Sequence, residues 1–161
     1  MKTNYLLPHR LKAIGWMLLI PAAVLGIMVI FLDYRFSFLD LKIMSLLPTK
    51  FNMSNMPPDR FMGIIENNLT DELAAAFFIV GAIFAGFSRE KDEDEYIAKI
   101  RLESLMWATY INYGILVISM FLFYEFVFLT IMRVFLFTLL IVFLIRYNYA
   151  LMKIKRIRNE K

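Results

Sequence analysis

Four apolar segments, set between polar stretches, carry most of what the chain says about its fold. The first, residues 13–32, is about 20 residues or roughly 30 Å as a helix, the thickness of a bilayer's hydrocarbon core. The second, 73–87, follows a helix-start signal: Thr70 as N-cap, then Asp71 and Glu72 complementing the dipole of the first turn. Its length of about 15 residues is short for a span. A start nearer Phe61, or tilt against its neighbours, would lengthen it. Residues 105–145 are then apolar over about twice a bilayer thickness, so the chain folds back on itself. The only charge near the midpoint is at Tyr124-Glu125, which places a tight hairpin between a third span, 105–123, and a fourth, 126–145. The pattern predicts an all-α protein, a polytopic four-helix transmembrane bundle formed as one domain by residues 1–161.

The connecting segments differ in kind. Residues 33–72 form the longest polar segment and are read as an external loop, within which 39–47 is aliphatic enough for a short interfacial helix limited by Pro48. Residues 52–58 read as turn. The N-x-S/T matches at Asn52 and Asn68 are at chance level. The first span leaves through Asp33-Tyr34-Arg35 without small residues of the A-x-A kind, which favours a retained anchor over a cleaved signal peptide. Pro21 removes a backbone donor inside that span and predicts a kink. The small pairs Ala22/Gly26, Gly81/Ala85 and Ala82/Gly86 let helices approach closely and put the second span at the bundle centre.

Residues 88–104 are the one dense run of both charge signs. As a helix continuous with the third span, they align Glu95, Lys99 and Glu103 four apart. Tyr96, Ile97, Ile100 and Trp107 gather on one side, and Ala98, Leu102 and Leu105 nearly opposite. A solvated helix needs no two apolar stripes, so at least one packs on the bundle, the headgroup layer or a partner.

Composition sharpens this picture. The chain is 60% hydrophobic, against the roughly 45–50% of soluble domains, and its mean hydropathy is +0.62. Its 18 basic and 14 acidic residues give a net charge of +4, with the excess at the two ends. Basic clusters beside span ends fit the positive-inside rule rather than a nucleic-acid face, so both termini and the 88–104 connector are expected in the cytoplasm. The expected localisation is a bacterial inner membrane, and anionic headgroups are the expected partner of the basic tail, 146–161.

Candidate chemistry is sparse. With no cysteine and a single histidine, His9, the chain lacks thiolate or His-based metal sites and any nucleophile-base set, so no catalytic residue, cofactor or enzymatic activity is expected. Asp92-Glu93-Asp94-Glu95 offers oxygen ligands for a hard cation but no calcium-loop spacing, and such acids equally suit a helix N-terminus. Asn112 and Arg133 are the intramembrane polar candidates. Arg133 either snorkels to the external headgroups or, with Asn112 and a kinked first span, lines a path through an oligomer.

The run D-E-Y-I-A-K-I-R-L-E-S before W-A-T-Y-I-N-Y resembles small uncharacterised four-span bacterial inner-membrane proteins, on Asp94, Glu95, Ile97, Arg101 and Ser104. The resemblance implies architecture, and a connector docking beside small helix-turn-helix regulators. The expected function is therefore a membrane interaction protein contacting a cytoplasmic partner through Glu93, Glu95, Ile97, Ile100 and Arg101. The alternative is a small transporter or channel-like subunit acting as a homo-oligomer.

Overall fold

A computed structural model describes residues 6–32, 36–45 and 63–159. Among them are four helices, α1 (Arg10–Leu32), α2 (Thr70–Phe87), α3 (Glu95–Leu122) and α4 (Glu125–Asn159), and two antiparallel strands, β1 (Asp40–Ser45) and β2 (Gly63–Asn68). Each helix contains a window long and apolar enough to cross a membrane: Arg10–Val29, Thr70–Phe87, Glu95–Leu122 and Val127–Ile154. The second span thus gains its length from Thr70 onward, not from Phe61, because 63–68 is strand. The hairpin between the last two helices is only Phe123 and Tyr124, and the Phe123 N–H closes α3 on the Ser119 carbonyl at 3.0 Å. From Glu95 onward the connector and third span are one continuous helix, whereas residues 88–94 are turn and bridge, and α4 continues far beyond residue 145 into the basic tail.

The chain divides into two compact units, Met1–Pro21 with Phe77–Lys161, and Ala22–Ala76. In the larger unit, α1 and α2 meet almost backbone to backbone. A Cβ on Gly15 would lie 2.5 Å from the Ala85 nitrogen, and one on Gly81 would lie 2.8 Å from that of Leu19. The small residues of α2 do what their spacing predicts, with Gly81, Ala82, Ala85 and Gly86 all buried. Their contact on α1 is Gly15; of the pair Ala22/Gly26, Ala22 is buried and Gly26 has nothing within 4 Å of its Cβ position. Against α4, Phe78 meets Phe137 edge-on at 5.4 Å and Phe87 stacks on Phe143 at 5.2 Å. The buried face of α3 is Ile97, Ile100, Arg101, Ser104, Ala108, Asn112 and Ser119, one stripe at three- and four-residue steps.

That stripe is half polar, whereas the outward positions are large and apolar: Val117, Phe121, Leu136 and Ile145 are all exposed. Small and polar residues inside with bulky hydrophobes outside is the packing expected where lipid, not water, is the solvent. The protein is an integral membrane protein on that evidence.

In the smaller unit the register runs from Asp40 opposite Asn68 to Ser45 opposite Gly63. The interfacial helix expected over 39–47 is therefore corrected: a single 3-10 turn, Ser37–Leu39, leads into a strand. A nine-residue helix is marginal alone, and pairing with the isoleucine-bearing Gly63–Asn68 segment gives its backbone partners instead. Asn68 fastens the pair to α2. Its Nδ2 donates to the Phe36 carbonyl (2.8 Å) and Asp40 Oδ1 (2.7 Å), while its Oδ1 accepts the Thr70 N–H at 3.0 Å. The hydroxyl of Thr70, expected to cap its own helix, accepts the Phe36 N–H at 3.1 Å. The turn expected at 52–58, the Asn52 match and the exit at 33–35 lie outside the described residues.

Candidate functional site

One buried cluster draws on four stretches of the larger unit, and local sequence explains how each arrives. Asp94 begins α3, its Oδ1 accepting the Ile97 N–H at 2.7 Å, a side-chain cap that fixes where the helix starts. Two turns on, Arg101 therefore faces back toward the segment after α2. There its guanidinium forms a fork on Glu93, Nη1 to Oε1 at 2.9 Å and Nη2 to Oε2 at 3.1 Å. Nη2 also donates to the Tyr147 hydroxyl (2.8 Å) and the Ser88 carbonyl (3.3 Å). The Tyr147 hydroxyl in turn donates to Glu90 Oε1 at 3.3 Å, and Lys12 pairs with that same oxygen. Glu93 Oε2 accepts the Glu90 N–H at 2.7 Å, which closes the loop between the two acids.

Two cations and two anions balance, and Tyr147 sits at their centre. Its ring lies 5.1 Å from the Arg101 guanidinium and 5.8 Å from the Lys12 ammonium, and stacks on Phe143 at 5.8 Å. Tyr147 is fully buried and is a core residue, whereas Tyr149 is exposed. Beside the cluster, the head of the chain is tied to the end of α2. Leu7 donates to the Phe87 carbonyl at 3.0 Å and accepts from Arg89 at 2.9 Å, and His9 Nδ1 donates to the Arg89 carbonyl at 2.8 Å. The first of these satisfies a carbonyl in the last turn of α2.

The level of the cluster is informative. Lys12, Glu90, Glu93, Arg101 and Tyr147 all lie just outside the apolar runs 13–32, 73–87, 105–123 and 126–145, at the ends of those runs that the cluster brings together. The charges are thus gathered at one edge of the apolar zone, where burial against protein replaces lost water. No family model, curated protein or solved structure matches the chain.

The sequence-predicted residues divide accordingly. Of the five connector candidates, Ile97, Ile100 and Arg101 are buried, Glu93 is half-buried and held by Arg101, and Glu95 is exposed. The two apolar stripes expected on the connector resolve into Ile97 and Ile100 inside, with Tyr96, Leu102 and Trp107 outside. Trp107 lies under the Arg146 guanidinium at 4.8 Å. Of the expected ladder, Lys99 reaches Glu103 at 3.9 Å, in the open. Asn112 is buried with its Oδ1 unpartnered, as is Arg101 Nε. Arg133 is exposed. Lys12, Glu90 and Tyr147 escape a linear reading. Their common signal is a polar group within three residues of the end of an apolar run, in different spans.

Proposed function

We propose that the chain is a non-enzymatic interaction protein of a bacterial inner membrane, with both termini and the connector in the cytoplasm, engaging anionic lipid and a cytoplasmic protein partner. The observation that carries this reading is the reach of α4. The helix continues from Tyr147 to Asn159, about 18 Å past the charge cluster, and bears Lys153, Lys155, Arg156 and Arg158. Each basic residue near an anionic leaflet contributes about 1 kcal/mol of attraction. With Ile97, Ile100 and Arg101 buried, the residues assigned in this reading to protein docking are the exposed Glu95, Tyr96 and Leu102. The test is capture in mild detergent with Glu95→Lys and Tyr96→Ala. Loss of a co-purifying protein with unchanged thermal stability supports docking; retention of every co-purifying protein at physiological salt contradicts it.

The second reading, a small transporter subunit, is favoured by two polar groups above the cluster. Asn112 Oδ1 is buried without a partner. Arg133 shares an α4 stripe with Phe137, Leu144 and Tyr147. Under the leading reading Arg133 lies about 12 Å from the start of α4 and reaches the external headgroups with its long side chain, so Arg133→Lys is tolerated. Loss of a transport activity in that variant, at unchanged expression and stability, favours the second reading.

A further inference from the structure

We infer that α3 and α4 hold the phosphate of one anionic phospholipid at the membrane edge where the charge cluster lies, in a site formed by Trp107, Arg146, Tyr149 and Lys153. The site rests on the proposed engagement of anionic lipid, and gives that lipid a defined place in addition to the tail's diffuse attraction.

Arg146 is the centre of the site. It follows directly on the apolar run 126–145, which puts its guanidinium in the headgroup layer. The side chain is half-buried and lies over the Trp107 ring at 4.8 Å, yet among the described residues it makes no hydrogen bond or ion pair. The cations of the neighbouring cluster differ, since Lys12 has Glu90 and Arg101 has Glu93. Stacking on an indole fixes the plane of a guanidinium and leaves its N–H groups pointing past the ring edge, in the fork that matches two oxygens of a phosphate. Partly desolvated and without an acid, this charge calls for an anion from outside the chain.

The surroundings decide which anion. Tyr149 and Lys153 stand three and seven residues on from Arg146, on the same stripe of α4, and both are exposed. The stripe thus adds a hydroxyl donor and a second cation, about 10 Å along the helix and able to bend back toward the same headgroup. Glu103, one turn from Trp107 on the connector side, is matched by Lys99 at 3.9 Å, so the site stays positive. Toward the apolar zone, Ile111 and Gly114 continue the stripe of Trp107 at four and seven residues. Both are exposed, and Gly114 has nothing within 4 Å of its Cβ position. That notch in an apolar stripe suits an acyl chain, which a free phosphate lacks.

Trp16 and Trp107 are the two tryptophans of the chain, so in a Trp16→Phe background Trp107 alone fluoresces as an indole. The full chain is reconstituted in bilayers in which either phosphatidylglycerol or phosphatidylcholine carries bromines on its acyl chains, and quenching of Trp107 reports the lipid beside it. At equal mole fraction the brominated phosphatidylglycerol is expected to quench more. Arg146→Gln and the fully exposed change Lys153→Gln are each expected to lower that preference about fivefold, the factor corresponding to one basic residue at an anionic surface. Arg156→Gln with Arg158→Gln, the same loss of charge in the tail, is expected to leave it near its original value. The proposal is overturned if the two lipids quench equally, if neither Arg146→Gln nor Lys153→Gln lowers the preference, or if the tail variant lowers it as much as they do. Lipid co-purifying in detergent separates the two readings: equal quenching with phosphatidylglycerol still enriched overturns this site alone, and equal quenching without enrichment overturns the anionic-lipid reading as well.

Discussion

Arg101 is where a single residue has the largest consequence. Its guanidinium keeps its charge in any protein environment, and its planar fork matches the Glu93 carboxylate; the two side chains are 7% and 18% exposed. Breaking a buried pair by removing one partner costs about 3–5 kcal/mol, because the other charge is left without compensation. Arg101→Ala and Glu93→Gln are therefore expected to destabilise the protein by about that much, toward the lower figure for the less buried Glu93. Tyr147→Phe, which deletes one hydroxyl from the cluster, is expected to cost about 1–3 kcal/mol. Unfolding in detergent checks all three, and a double-mutant cycle on Glu93 and Arg101 should be far from additive. Both residues stand out in the sequence as charges in the connector, but nothing local reveals that they face inward. The inward stripe of α3 contains Ser104, Ala108, Asn112 and Ser119. In a membrane protein the packed face is the smaller and more polar one, so reading hydrophobicity as burial points to the wrong side.

Among the elements, the spans were legible because length and apolarity suffice to define them, and the α2 contact face because glycine and alanine recur at four-residue spacing. The choice between glycines on α1 was not. Gly15 and Gly26 look equally suited to close packing in the sequence, and only the crossing point of α1 and α2 distinguishes them. Gly15→Leu is expected to destabilise by about 1–3 kcal/mol or more through overpacking, since its Cβ would already collide with the backbone at Phe84 and Ala85. Gly26→Leu has open space and is expected to be neutral or stabilising by up to about 1 kcal/mol from helix propensity. Thermal unfolding of the two variants side by side checks the difference. The β1–β2 pair was illegible for another reason. Aliphatic residues over 39–47 suit a helix or a strand equally, and the decision is made by a partner segment some twenty residues on and by Asn68, whose carboxamide ties strand to helix.

For the whole molecule, the proposed topology puts the charge cluster, connector and basic extension of α4 on the cytoplasmic side and residues 33–72 outside. The concentration of lysine and arginine near Lys12, Lys91 and Lys153 supports that proposal. Single cysteines in this cysteine-free chain, probed with a membrane-impermeant thiol reagent, decide the matter most directly. Ser37, Asp92 and Lys153 are exposed positions suited to labelling. The account predicts that Ser37→Cys reacts in intact cells, whereas Asp92→Cys and Lys153→Cys react only after the membrane is permeabilised. Labelling of Asp92→Cys from outside, or of Ser37→Cys only from inside, would contradict it.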